Sequence, residues 1–239
     1  MTTSGTYAFN PSLGELTLYA FNLCEVRNTA IVQEHMESAR MASNMVLSNW
    51  SNRGVNLWCV DLITEPLIEG QSVYTVDQNT VMILDAYVQI DNGDGNPIDR
   101  IILPISRSEY ASYPNKEQQG FPTTYWFDRL ISANRSTGSA GPSVTIWPVP
   151  DGTSAQNLKY YCVRQIQDSA LTNGQTVEIP YLWMEAYAYA LAQRLAIIWN
   201  PQKAMVLKPL ADEAYAVAAE QNVEQAQQYI SPMIAGYFR

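Results

Sequence analysis

Residues 81–104 read VMILDAYVQIDNGDGNPIDRIILP. Two runs rich in apolar and β-branched residues, 81–90 and 98–104, flank the cluster DNGDGN at 91–96. Asn, Asp and Gly tolerate the backbone angles of a tight reversal, so the stretch predicts a hairpin. The same alternating or continuous apolar pattern recurs upstream at 55–63 and 72–76, and downstream at 123–130, 143–149 and 158–165. Between them, 105–113 predicts a short helix or turn ended by Pro114, and 132–142, rich in Ser, Gly and Asn, predicts an exposed loop. The middle of the chain therefore predicts an antiparallel sheet, closed into a sandwich or a small barrel.

On both sides the period changes to that of a helix. Leu13, Leu16, Ala20 and Leu23 share one face of a helix over 13–26, with Ser12 as its N-cap. A longer helix over 29–53 carries the stripe Val32, Met36, Ala39, Val46 and Trp50, and Gly54 is a natural stop. Pro180 stands where a helix can begin. Residues 181–200 are apolar nearly all round (Leu182, Ala186, Tyr189, Ala190, Leu195, Ile198), which predicts packing on several sides. Asn200-Pro201 breaks that helix, and a last one follows over 201–229. A kink is expected at Pro209, and Ala211, Ala214, Ala218 and Ala219 permit close helix contact. The fold class predicted is α+β. Two N-terminal and two C-terminal helices form an antiparallel bundle around an inserted antiparallel β-sheet domain. The parts are an arm at 1–12, helical halves at 13–54 and 180–229, the β domain at 55–179, and a tail at 230–239.

The 239 residues are 47% hydrophobic and only 15% charged, which excludes disorder for most of the chain. With 11% aromatics, so few charges suggest that part of the surface is covered by other subunits. The formal charge is −9, and residues 55–170, with 13 acids against 7 bases, carry −6 of it. That balance opposes a grip on nucleic acid through its phosphates. Cys24, Cys59 and Cys162 are widely spaced, which fits free buried thiols better than a disulfide framework or a zinc site. Residues 1–10 lack the pattern of a signal peptide, and 181–199 contains Glu185, Gln193 and Arg194 and makes a poor membrane span. A soluble protein made in the cytosol, with no membrane partner, is expected.

Catalytic signals are weak. The lone histidine, His35, lies between Glu34 and Glu37 on a helix and is tied to no nucleophile, so a helix-surface role is expected. The DNGDG run superficially resembles a calcium loop, but that loop needs a Glu at its last position, and Ile102 stands there. No glycine-rich phosphate cradle occurs, and Asp212-Glu213 predicts a solvated helix face. No catalytic residue, metal ligand or cofactor is assigned. Tyr125, Trp126, Phe127, Trp147, Tyr160 and Tyr161 crowd the strands with only Arg129, Lys159 and Arg164 nearby, which favours sheet packing over stacking on single-stranded nucleic acid.

Residues 120–165 carry a resemblance. A G-x-P-x-x-Y segment (Gly120, Pro122, Tyr125) leads one strand, and W-P-x-P (Trp147, Pro148, Pro150) ends the next. A Tyr-rich strand with Arg follows (Tyr160, Tyr161, Arg164). With a segment N-W-x-N-R-G at 49–54 and an apolar helix after Pro180, the chain over 13–229 resembles the head-to-tail adaptor (connector) proteins of short-tailed bacteriophages, the tail tubular protein A type included.

That resemblance implies a structural virion protein at the head–tail junction. Such adaptors form a homo-oligomeric ring, usually of about twelve copies, under the portal protein. They extend the DNA channel, seat the tail tube or nozzle, and neighbour the tail fibres. Helices would build the ring wall, C-terminal segments would reach the portal, and the β region would face the tail. Portal-docking candidates are Tyr229, Ile230, Pro232, Met233, Ile234, Tyr237, Phe238 and Arg239. An acidic lumen would let double-stranded DNA pass without sticking, and candidate lining acids are Asp91, Asp94, Asp99, Glu220 and Glu224. The alternative from another class is a carbohydrate- or ligand-binding β module with helical flanks, using Trp126 and Trp147 as platforms. A cell-wall hydrolase with two carboxylates is a more distant reading.

Overall fold

Ser12 starts the first helix as its sequence position predicts. Its hydroxyl accepts from the backbone N–H of Glu15, and the Glu15 carboxylate accepts from the backbone N–H of Ser12 at 2.8 Å. This reciprocal cap satisfies two donors that a helix N-terminus otherwise leaves orphaned. In a computed structural model that describes residues 5–7, 9–54, 56–91, 93, 95–129, 141–171 and 174–223, the chain divides into two compact units. One comprises residues 1–42 and 171–239, the other 43–170.

The first unit is helical. Helix α1 (Leu13–Leu23) packs against α4 (Met184–Trp199), and α4 packs against α5 (Pro201–Glu220). Leu13, Leu16, Ala20 and Phe21 of α1 and Leu191, Ala192 and Leu195 of α4 are buried. The Cys24 thiol donates to the carbonyl of Ala192 at 3.1 Å, and the Asn200 side chain donates to the carbonyl of Cys24 at 3.1 Å. Asn200 thus pins the corner at which α4 ends and α5 begins, with Pro201 in the first turn of α5, where its missing N–H costs nothing. Lys203 pairs with Glu25 at 2.7 Å. Helix α5 continues through Pro209 as one element, and its buried Ala211 and Ala218 let it approach its neighbours closely. The unit boundary falls inside α2 (Gln33–Ser51).

The second unit holds one curled seven-stranded sheet. Its strands are β1 (Val60–Pro66), β2 (Val73–Thr75), β3 (Thr80–Asp91), β4 (Ile98–Pro104), β5 (Thr124–Asp128), β6 (Ser143–Trp147) and β7 (Ala155–Arg164). They lie in the order β1-β7-β3-β4-β5-β6-β2. The predicted hairpin is present, with Ile90 opposite Ile98 and Ala86 opposite Ile102. Ile63, Tyr160, Ala86 and Ile102 stand in register across four strands and point into the core. Tyr74, Val76, Val88, Tyr125, Val144, Ile146, Leu158 and Cys162 are buried with them. The short helix α3 (Arg107–Ser112) is capped by the Ser106 hydroxyl.

The chain is thus mixed α+β, with five α-helices and seven strands among the described residues. Some expectations need correction. The sheet is not wholly antiparallel, because β4 pairs with β5 in parallel. The connection through α3 and residues 113–123 is long enough to return the chain and start β5 in the direction of β4. Residues 28–30 form a single 3₁₀ turn, so α2 starts at Gln33 and Val32 before it is exposed rather than part of the buried stripe. Leu182, in the 3₁₀ turn that precedes α4, and Ile198 within α4 are exposed, so the stretch 181–200 is not covered all round within this chain. Most of the expected loop at 132–142 lies outside the described residues.

Candidate assembly surfaces

The segments that carry the family pattern hold each other in place. The backbone N–H of Gly120 donates to the carbonyl of Val149 at 2.8 Å, and Val149 N–H returns to Gln118 at 2.9 Å. Thr123 N–H and the Thr124 hydroxyl both reach the Trp147 carbonyl at 3.1 Å. Pro122 and Pro150 are buried, and Pro148 lies against the Cα of Gly120, where an added Cβ would sit at contact distance. Tyr125 and Tyr160 are core residues whose hydroxyls are pushed up in pKa, chiefly by burial. Arg164 bridges β7 to Asp61 of β1 at 2.8 Å. These residues therefore shape the sheet and the 115–123 segment beside it.

Trp126 and Trp147 stand among other aromatics. Tyr110 stacks on Trp126 with centroids 5.8 Å apart, and Tyr113 lies over Trp147 at 4.3 Å. The Trp147 indole N–H donates to the carbonyl of Asn115 at 3.0 Å, and the Lys116 ammonium sits 5.7 Å from the Tyr110 ring centre. Each indole thus has one ring face occupied by a tyrosine from the α3 region.

The outer face of the sheet is more informative. Thr64, Lys159, Tyr87 and Ile101 line up across β1, β7, β3 and β4, next to a row holding Leu62, Tyr161 and Asp85. Ile101 is 80% exposed, and Leu62, Leu103 and Tyr161 are also exposed. The second half of β4 is apolar on both faces, with Ile102 inward and Ile101 and Leu103 outward, a pattern expected where both faces are covered. The Tyr87 hydroxyl is raised in pKa, first by desolvation and then by Tyr161 and Asp99.

The helical unit has comparable surface. Ile197 and Ile198 in the last turn of α4 are exposed, as are Met205, Val206, Leu210 and Val217 of α5. At helical spacing, Val206, Leu210 and Val217 form one stripe, clear of the buried Leu207, Ala211 and Ala218. Between α1 and the start of α4, a groove of about 620 Å³ opens between Phe9, Tyr19, Tyr181 and Leu182, with Glu15 and Glu185 on its walls.

His35 is not a solvated helix-face residue. Its ring stacks on Trp199 with centroids 3.9 Å apart, meets the edge of Phe21, and accepts from the backbone N–H of Val32. Among the described residues, no group of three or more His, Cys, Asp or Glu side chains could hold a metal ion. No described helix is long and apolar enough to cross a membrane.

Of the candidate lining acids, Asp91 ends β3 and Asp99 lies on β4, so the hairpin brings these two strand positions near one another. Asp99 accepts from the Gln89 amide at 2.9 Å, and Glu220 is exposed at the end of α5 in the other unit. Asp94, Glu224 and the whole set from Tyr229 to Arg239 lie outside the described residues. Sequence reading did not single out Tyr87, Ile101, Leu103, Met205 or the groove. The uninterrupted IILP of 101–104 was a usable sign for the sheet face, whereas the groove joins distant segments and leaves no local pattern.

Comparison with known proteins gives one family. Residues 32–234 match the family model described as SU10 adaptor protein. No curated protein matches the chain.

Proposed function

The chain belongs to the SU10 adaptor protein family, a group of structural phage proteins, and from that premise we propose that it forms the ring that joins the portal protein to the tail tube or nozzle. In this reading copies pack side by side around the DNA channel, about twelve to a ring. The helical halves at 13–54 and 180–229 form the bundle of the wall, and the β domain at 55–179 faces the tail. In this reading the chain is an adaptor of the tail tubular protein A type.

One observation carries the proposal. A chain with only 15% charged residues leaves large apolar side chains uncovered on both of its units, Met205 at 83% and Ile101 at 80% exposure among them. A monomer gains nothing from such surface, whereas a subunit with neighbours on both flanks buries it. The excess of acid fits the channel. DNA is polyanionic, and a wall of like sign offers no phosphate contact that must later break. Asp91, Asp94, Asp99, Glu220 and Glu224 are the acids assigned to that wall, and the segment from Tyr229 to Arg239 is assigned to the portal.

Mass measurement of the protein alone and with portal rings tests the assembly. A discrete ring-sized species in either sample is expected, and a monomer in both overturns the reading. Cutting after Tyr229 tests the docking segment separately. The shortened protein should fold and lose portal binding, and binding at full strength would remove the tail from the interface.

A further inference from the structure

A closed ring needs a head-to-tail contact, in which two different patches of one subunit meet across each boundary. The helical unit carries two patches that differ in shape and in charge. One is the concave groove between α1 and the start of α4, where Phe9, Tyr19, Tyr181 and Leu182 present exposed apolar surface and Glu15 and Glu185 are the charged groups. Its volume of about 620 Å³ is enough to take several side chains. The other is convex. Helix α5 is divided by charge: residues 201–211 contain Lys203 and Lys208 and no acid, while 212–220 contain Asp212, Glu213 and Glu220 and no base. The basic half also bears the exposed Met205 and Val206, and it includes the positive end of the helix dipole. Lys203 is held by Glu25, which leaves Lys208 as the outward base beside Met205.

Building on the ring reading above, we infer that the groove of each copy receives the first half of α5 from the next copy. Met205 and Val206 enter between Tyr181, Leu182 and Tyr19, and the Lys208 ammonium comes against Glu185 at the groove wall. The acidic half of α5 is excluded from the groove by its sign, which fixes the register of the contact. Because groove and knob are separate surfaces, the contact propagates from copy to copy rather than closing as a two-fold dimer.

Charge exchange tests this in the full-length protein, under the conditions in which wild type forms rings, with portal present if needed. Glu185→Lys and Lys208→Glu should each raise the concentration for half-assembly by about tenfold or more. In the first variant lysine meets lysine across every boundary, and in the second glutamate meets glutamate. An equimolar mixture of the two should recover assembly, because alternating copies again place opposite charges at each contact. Met205→Asp should weaken assembly without rescue by either variant. Thermal melts verify that each protein folds. Rings in the wild type with variants that assemble normally, or with a mixture that does not recover, overturn this contact and leave the ring reading standing. A wild type that remains monomeric with portal overturns both.

Discussion

His35 lies flat on the indole of Trp199, with ring centroids 3.9 Å apart and planes 17° from parallel. Phe21 meets the same imidazole edge-on at 5.6 Å, and the ring Nδ1 accepts from the backbone N–H of Val32. That contact satisfies an orphan donor at the entry to α2. His35→Ala should lower stability by about 1–2 kcal/mol, from the lost stack and the lost acceptor together. His35→Phe should keep the stack and lose less. Urea unfolding of both variants checks this, and equal losses would show that the stack contributes nothing.

The sheet core offers a larger effect. Tyr160 is buried at the centre of β7, in register with Ile63 and Ala86 on either side. Tyr160→Ala should cost about 3–5 kcal/mol, since it removes an aromatic ring from a site whose neighbours are fixed by strand pairing. Tyr161→Ala, one residue away on the exposed face, should cost far less in the free protein. Chemical unfolding of the pair measures the difference, and similar losses would contradict the assignment of faces.

Buried thiol and phenol groups set an alkaline limit. Burial pushes the Cys24 thiol up from an ordinary value of 9.0 to about 11, and burial raises the Tyr160 hydroxyl as well. In the unfolded chain Cys24 ionises near its ordinary value, while the folded protein keeps the proton. The stability this contributes is whole below pH 9 and is lost as the pH rises towards 11. Stability measured from pH 8 upward should fall through that window, and Cys24→Ala should flatten part of the slope. Alkylation of Cys24 in the folded protein should be slow at pH 8 and speed up only on unfolding.

The parts legible in the sequence are those settled by near neighbours. The hairpin of β3 and β4, the Ser12 cap and the break at Asn200-Pro201 each depend on a few consecutive residues, and each is where it was expected. The parallel pairing of β4 with β5 was not legible, because periodicity reports which face is apolar and not which strand lies alongside. His35 was misread because Trp199 is far away along the chain, and a contact of that kind leaves no mark in a local pattern. The uncovered apolar surface was legible only as a total, in the ratio of hydrophobic to charged residues. Its location on β4 and α5 required the burial of individual side chains.

The last prediction separates folding from assembly on the sheet face. Ile101 is 80% exposed on the outer side of β4, opposite Tyr87. Replacing it with a charged residue removes almost no contact from the free protein, so Ile101→Glu should change its stability by no more than about 0.5 kcal/mol. If a neighbouring virion component covers this face, the same carboxylate must be buried there without a partner, at the desolvation cost of an unpaired charge. Assembly with portal or tail-tube protein should then fall by tenfold or more while the melting curve stays unchanged. Ile101→Val, which keeps the apolar character, should assemble like wild type. Undiminished assembly of the glutamate variant would show that the outer sheet face stays in water, and would leave the exposed apolar side chains of the helical unit as the surface that neighbours cover.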